Sequence, residues 1–352
     1  MTAGVFALAP GGDENIVASF AGGATGTTCN TGLNLGRDGD FYGTCSGDIP
    51  PFDSGTVFSI PAKGSVKTLH GFDGTDGETP EPGRPVQGTD GNFYGMTEEG
   101  GANGHGTAYS MTSDGHLTTL HDFGGAGTVD GSDPSGSLTL ASDGNFYGTT
   151  IGGGTLGGGT VFKMTPAGTV TVLHNFPGTG KKEGRQPMGG VVQGNDGKFY
   201  GVTFGGGVEN LGTVYVLKQD GSTKTLHSFS AAESLAFPCD GLALSTDRTM
   251  FGIAAACQDG KCAIRYLRSD VKRQFKSLHT FSPSTDGTMR RRVVPRHEWH
   301  FIRVDGDWRT GWRRDCLQPR YGHRAFRARV AGIRRRRRYH SGLRTGVHPE
   351  RD

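Results

Sequence analysis

The repeat that runs through this chain is the feature that most constrains its fold. Its markers are Asp-Gly-x-Phe-Tyr-Gly, a Gly-rich loop, Gly-Thr-Val-Phe and Leu-His-x-Phe. The tyrosine of the first marker returns every 52 or 53 residues, at Tyr42, Tyr94, Tyr147 and Tyr200, and Phe251 takes its place in the last unit. A fixed period of this length predicts a repeat architecture, in which each unit buries its apolar face against its neighbours.

Each unit contains four candidate strands, which are clearest in the third unit at residues 137–141, 145–150, 160–164 and 170–176. The Asp143-Gly144 dipeptide between the first two is a hairpin-type turn. Only 33% of the residues are hydrophobic and 62 are glycine, a composition typical of short strands joined by tight turns. We therefore predict an all-β fold, a β-propeller of four-stranded blades. A β-solenoid is the alternative architecture.

The predicted propeller domain spans residues 1–288. It starts with half a blade at residues 3–20, and five further blades end near residues 72, 123, 176, 229 and 281. This amounts to about five and a half blades in six positions. Because the chain starts in mid-repeat, we expect a longer reading frame or a misassigned start codon. The sequence shows neither a signal peptide nor a transmembrane segment.

Residues 289–352 differ sharply from the repeats. They contain 19 Arg, no Lys and 6 acidic residues, a net charge of +13, whereas the remainder has 18 basic and 28 acidic residues, a net charge of −10. One interpretation of this tail is a nucleic-acid-binding arm. The interpretation that we favour is a frameshift, which leaves a disordered tail and no nucleic-acid partner.

Reading the codons of the tail one nucleotide late restores the markers of the repeat. Residues 296–303 then permit Gly-Thr-Asn-Gly-Ile-Leu-Tyr-Gly, and residues 312–320 permit Gly-Gly-Gly-Thr-Val-Phe-Ser-Leu-Asp. The restored glycines at positions 303 and 314 are eleven apart, the same spacing as between Gly148 and Gly159. Residues 289–352 are therefore interpreted as an out-of-frame extension.

The motifs at residues 143–150, 159–166 and 172–176 resemble one family closely, the choice-of-anchor tandem repeat GloVer proteins of bacteria. The resemblance covers residues 3–288. It implies an extracellular or cell-surface protein without an established activity. The chain departs from the family pattern at both ends, because it shows neither an export signal nor a readable anchor.

Two sets of residues recur once per blade and could carry chemistry. Histidines stand on the predicted outermost strands, too far apart to share a metal, so we expect each to satisfy a hydrogen bond within its blade; they are His70, His121, His174, His227 and His279. Aspartates occupy the hairpin turns, where their side chains favour turn geometry; they are Asp38, Asp90, Asp143, Asp196 and Asp247.

A second set of acidic residues lies on the loops that precede the innermost strands, namely Asp76, Asp130, Glu183 and Asp286. These loops share one rim of the propeller, so the carboxylates are our candidate binding residues for Ca²⁺ or a cationic partner. Ordinary turn chemistry is the alternative role. No catalytic residue, metal site or other cofactor is predicted.

Cysteines are confined to two units and the tail. Cys257 and Cys262 flank the Asp259-Gly260 turn and would lie opposite each other on adjacent strands, while Cys239 is a competing partner for Cys257. Cys29 and Cys45 are a weaker candidate pair.

Two functions are compatible with these features. The first is a non-enzymatic, surface-exposed monomer that binds a protein or polysaccharide through its rim loops. The second is an enzyme of the lactonase or lyase type, with acidic residues at the channel mouth. Near-identical residues in every blade favour the first function, because catalysis needs particular residues in particular blades.

Overall fold

A computed structural model describes the chain at residues 4–8, 14–19, 29, 32–47, 53–61, 65–80, 83–124, 129–179, 183–218, 220–233, 236–238, 240–245, 249–258, 261–269, 275–281 and 304–305. All of these residues belong to the first of two compact units, Met1–Gln318. Their regular structure consists of β-strands and one 3-10 turn, Ala231–Glu233.

Four blades are antiparallel sheets whose strands neighbour one another in chain order. Blade 1 contains β3 (Asn34–Leu35), β4 (Phe41–Cys45), β5 (Thr56–Ile60) and β6 (Lys67–Gly71). Blade 2 contains β7 (Val86–Gln87), β8 (Phe93–Met96), β9 (Thr107–Met111) and β10 (Leu117–Asp122). Blade 3 contains β11 (Ser132–Leu140), β12 (Phe146–Gly152), β13 (Gly157–Met164) and β14 (Val170–Pro177). Blade 4 contains β15 (Gly184–Gln193), β16 (Phe199–Gly206), β17 (Thr213–Leu217) and β18 (Thr223–Ser228).

Blade 5 has a first strand in two pieces. Both β19 (Ala236–Pro238) and β20 (Ala243–Leu244) pair with β21 (Met250–Gln258), which is followed by β22 (Lys261–Ser269) and β23 (Phe275–Phe281). The terminal sheet combines β2 (Glu14–Ser19), β1 (Gly4–Leu8) and β24 (Val304–Asp305) in that order. These sheets confirm the all-β propeller, with six blade positions.

The terminal sheet contains the one described strand after residue 288. β24 pairs antiparallel with β1, with Val304 opposite Val5 and Asp305 opposite Gly4. We expected the translated tail to be without ordered structure, and these two residues are an exception to that expectation. The physical reason is that β1 is the third strand of a blade and offers an edge for a second strand.

Aromatic side chains at the second strands hold neighbouring blades together. In blades 1 to 3 the tyrosine of the repeat stacks on the phenylalanine one blade further on, with ring centroids 3.8 Å apart for Tyr42 and Phe93 and 4.0 Å apart for Tyr147 and Phe199. All four rings are buried. Stacked aromatic pairs add about 0.5–1.5 kcal/mol beyond the burial of their area, so the repeated Phe-Tyr pair couples adjacent blades.

Candidate functional site

The antiparallel order of the strands places the loops of the blades at two ends. The turn face carries the Asp-Gly turns between first and second strands. The loop face carries the Gly-rich loops between second and third strands and the connections to the next blade. Backbone hydrogen bonds join these two kinds of loop, for example from Gly101 N to Gly74 O (2.9 Å) and from Gly207 N to Glu183 O (3.2 Å).

On the loop face, the recurring histidines and the recurring acidic residues form pairs. Nε2 of His70 lies 2.7 Å from Oδ2 of Asp76. Nε2 of His174 lies 2.8 Å from Oε1 of Glu183. His121 pairs in the same way with Asp130 at 3.0 Å. The fourth pair joins His227 and Glu233 at 3.1 Å.

Each pair links the outermost strand of a blade to the connection that leads into the next one. The imidazole also packs edge-on against the phenylalanine two residues later, as in His174 and Phe176, whose ring centroids are 4.7 Å apart. In blade 4, Thr223 extends the link by donating a hydrogen bond to Oε1 of Glu183 over 2.9 Å. The histidine and its carboxylate therefore hold the inter-blade loop against the blade that precedes it.

This pairing was missed at the level of sequence, where the histidines and the loop acids were treated as separate sets. Three of the candidate binding residues, Asp76, Asp130 and Glu183, are the partners of histidines. Asp286 lies outside the described residues. Glu233 was not predicted at all, although its place after the Leu-His-x-Phe marker of blade 4 was a usable signal.

On the turn face, each described turn aspartate caps its own turn and binds the tyrosine of the repeat. Oδ1 of Asp143 accepts the backbone N–H of Asn145 over 3.1 Å, while Oδ2 accepts the hydroxyl of Tyr147 over 3.0 Å. The same tyrosine–aspartate bond forms at 2.6 Å in blade 1 and 2.8 Å in blades 2 and 4. These repeated carboxylates stabilise turns, as the sequence indicated for this type of residue.

The pKa values of this turn reflect its hydrogen bonds. Burial opposes ionisation of Asp143, but hydrogen bonds from the N–H of Asn145, from Lys163 and from Tyr147 outweigh it and lower its pKa to about 2. Burial, followed by the hydrogen bond to Asp143, raises the pKa of Tyr147 to about 12. At neutral pH the carboxylate is therefore ionised and the phenol is protonated, which suits a structural bond.

The described blades contain one disulfide, between Cys29 and Cys45, whose Cα atoms are 4.0 Å apart. In blade 5, the backbone positions of Cys257 and Cys262 are opposite each other in the β21–β22 ladder. Cys239 lies outside the described residues, so its competition with Cys262 stays a prediction.

The tips of the loop face expose aliphatic side chains that sequence reasoning did not single out. Val129, Leu156 and Val208 expose 67%, 57% and 73% of their surface. Leu156 and Val208 lie at the tips of corresponding Gly-rich loops in blades 3 and 4. The other large apolar side chain that is exposed among the described residues, Leu35, lies by the turn face.

Hydrogen bonds fix the backbone of these tips. Beside Leu156, the N–H of Thr155 donates to Oδ1 of Asn175 over 2.8 Å, and the carbonyl of Leu156 accepts the N–H of Gly178 over 2.7 Å. Near Val208, Asn210 Oδ1 accepts bonds from Nη2 of Arg185 (3.0 Å) and from the N–H of Gly206 (2.9 Å). Leu156 and Val208 are thus presented on preorganised loops.

The described part of the chain contains no cluster of three or more His, Cys, Asp or Glu side chains arranged to hold a metal. Within the same residues, no helix is long and apolar enough to span a membrane.

Solved structures of low sequence identity align with much of this chain. An endo-1,4-β-xylanase from Bacteroides thetaiotaomicron is 14% identical, over 73% of this chain and 96% of that one, with a TM-score of 0.41. A protein of unknown function from Dyadobacter fermentans is 10% identical, over 73% and 84%, with a TM-score of 0.46. An ulvan lyase is 12% identical, over 76% and 74%, with a TM-score of 0.47. At these TM-scores the likeness supports no inference about function.

Comparison with curated proteins gives no match. One family model does match, over residues 31–264, which include most of blades 1 to 5 and therefore well over half of the chain. This chain belongs to the Gloeobacter/Verrucomicrobia repeat family.

Proposed function

We propose that this protein is a non-enzymatic propeller of the cell surface that binds a polysaccharide or a protein through its loop face. The observation that carries the proposal is the set of exposed aliphatic tips, Val129, Leu156 and Val208, of which the last two lie on loops whose backbone is fixed by hydrogen bonds. A preorganised contact surface loses little conformational entropy on binding, which favours affinity.

The ionisable groups of the same face support binding rather than catalysis. The His–carboxylate pairs have similar distances, from 2.7 to 3.1 Å, and each occupies the same place in its blade. Catalysis acts at one site and gives no reason for four repeats of one contact. The additional bond from Thr223 to Glu183 fixes its pair further. Equivalent pairs fit a structural link that supports the loops around them.

The proposal is tested with the double variant L156D/V208D, which places two charges on the loop tips. Binding is measured on a glycan array and on peptidoglycan sacculi that retain their attached surface proteins. We expect at least a tenfold loss of affinity, equivalent to about 1.4 kcal/mol. The matched control is L35D, which adds a charge to an exposed leucine by the turn face and should leave binding unchanged.

Two outcomes would overturn the proposal. The first is equal binding by the unmodified chain and L156D/V208D, which would move the contact surface elsewhere. The second is turnover of a lactone or uronate-containing polysaccharide that disappears in one His→Ala variant of a single blade, because this would favour the enzyme.

A further inference from the structure

The interior of the blades alternates between two types of packing around the glycine of the Phe-Tyr-Gly marker. In blade 3, a Cβ built at Gly148 would lie 2.6 Å from Cζ of Phe162 and 3.1 Å from Cδ2 of Leu138. Blade 1 has the same arrangement at Gly43, where the corresponding distances to Phe58 and Leu33 are 2.6 and 2.9 Å. A phenyl ring and a leucine methyl group share the space over the glycine in these blades.

In blades 2 and 4, a tyrosine hydroxyl takes the place of the leucine methyl group. A Cβ at Gly95 would lie 2.3 Å from Oη of Tyr109, and one at Gly201 would lie 2.5 Å from Oη of Tyr215. The residues at the leucine position are the shorter Pro85 and Val191. Where tyrosine replaces phenylalanine, a shorter side chain replaces leucine, so the interior volume stays filled.

The same alternation extends to the contact between blades on the turn face. Oε1 of Gln87 in blade 2 accepts the backbone N–H of Arg37 in blade 1 over 2.8 Å. Oε1 of Gln193 in blade 4 accepts the N–H of Ser142 in blade 3 over 2.9 Å, and Nε2 of Gln193 donates to Oγ of Ser142 over 3.3 Å.

Blades 1, 3 and 5 have leucine at the glutamine position, as Leu35, Leu140 and Leu244. An aliphatic side chain cannot accept a hydrogen bond. The hydrogen bond between the turn of one blade and the glutamine of the next can therefore form between blades 1 and 2 and between blades 3 and 4. It cannot form between blades 2 and 3 or between blades 4 and 5, where the second blade has leucine.

We infer that the structural unit of this propeller is a pair of blades, and that local opening of the turn face takes place between pairs, at the contacts of blade 2 with blade 3 and of blade 4 with blade 5. Within a pair, the glutamine of the second blade forms a hydrogen bond with the turn of the first. Between pairs, a leucine takes the place of this glutamine and the hydrogen bond cannot form.

Hydrogen exchange on the full chain tests this inference at equivalent turn positions. Ser142 donates its N–H to Gln193. Thr89 occupies the corresponding position in blade 2, and the next blade has Leu140 in place of the accepting glutamine. We expect the amide of Ser142 to exchange at least tenfold more slowly than that of Thr89. Q193L should remove this difference by accelerating Ser142, and L140Q should slow Thr89.

Circular dichroism accompanies each variant, so that a change in exchange is assigned to the contact only when the β spectrum is kept. Equal exchange at Ser142 and Thr89 in the unmodified chain would overturn the inference. So would a folded Q193L variant whose Ser142 amide still exchanges at the original rate.

Discussion

Tyr147 donates its hydroxyl proton to Asp143 over 3.0 Å, across the turn that joins the first two strands of blade 3. Asp143 also forms a salt bridge with Lys163 on the third strand at 3.1 Å. One carboxylate therefore ties three strands of the blade together.

The low pKa of Asp143 predicts a loss of stability in acid. Its pKa in the folded protein is about 2, below the usual aspartate value of 3.8, so its contribution to stability is complete above about pH 4 and is lost as the pH falls towards 2. D143N should lower the melting temperature by about 1–2 °C at pH 7, and the difference from the unmodified chain should shrink between pH 4 and pH 2. Thermal melts over this range measure it. A difference that does not depend on pH would contradict the prediction, and Y147F, which keeps the carboxylate, is the control.

Removal of one His–carboxylate link should weaken the blade that carries it. In H174A, Glu183 loses its imidazole partner, and we expect a loss of about 1 kcal/mol because the pair is partly exposed. Urea denaturation measures this loss. The control is H116A, since His116 is exposed on a turn. If both variants are equally stable, the links do not hold the inter-blade loops.

The hydroxyl groups of Tyr109 and Tyr215 are buried and have no hydrogen-bond partner among the described residues. Burial raises the pKa of both side chains, so the phenols stay neutral. Y109F and Y215F should each leave stability unchanged or raise it by up to about 1 kcal/mol, because an unsatisfied buried hydroxyl is costly. The reverse variant F162Y should destabilise blade 3 by about 1–3 kcal/mol, since its hydroxyl would meet Leu138. Chemical denaturation measures the stability of the three variants. A clear loss of stability in Y109F would contradict the prediction that its buried hydroxyl is unsatisfied.

The register of β24 predicts a stabilising substitution at position 303. Val304 pairs with Val5, and in blade 3 the corresponding pair is Thr149 with Val161. The residue before Thr149 is Gly148, where a Cβ would lie 2.6 Å from the ring of Phe162. We predict the same crowding at position 303, which lies outside the described residues.

The out-of-frame reading also places glycine at 303, so we predict that R303G raises the stability by about 1–3 kcal/mol, the usual cost of an overpacked position. A chain restored to the second frame near codon 289 should melt higher still and aggregate less. Melting and light scattering measure both effects. The control R309G should have no effect, and an equal gain in R309G would remove the support for this register.

Two disulfides are expected in oxidised material. The pair Cys29–Cys45 closes a loop of 16 residues, and the double variant C29S/C45S should lose about 3 kcal/mol of stability. Peptide mapping should also find Cys257 bonded to Cys262, its partner in the ladder. Free thiols at all four positions in oxidised material would refute both pairs, while a bond from Cys239 to Cys257 would refute only the second.

The sequence by itself determined the fold class and the position of the strands. The period of the Phe-Tyr-Gly marker predicted the four-stranded blades, and the tyrosines fall on the second strands in the same register, as Tyr147 opposite Lys163 and Tyr200 opposite Val216 show. These features depend on local patterns of strand, turn and glycine, which are written in each unit and repeated along the chain.

The partners of the polar side chains were decided only by the tertiary structure. His121 and Asp130 are nine residues apart, His70 and Asp76 are six apart, and no fixed spacing marks them as a pair. The contact exists because the inter-blade loop folds back onto the outermost strand. The bond from Ser142 to Gln193 likewise joins residues 51 positions apart, since it depends on how one blade packs against the next. Packing between units is a property of the assembled sheets, and the sequence of a single unit does not contain it.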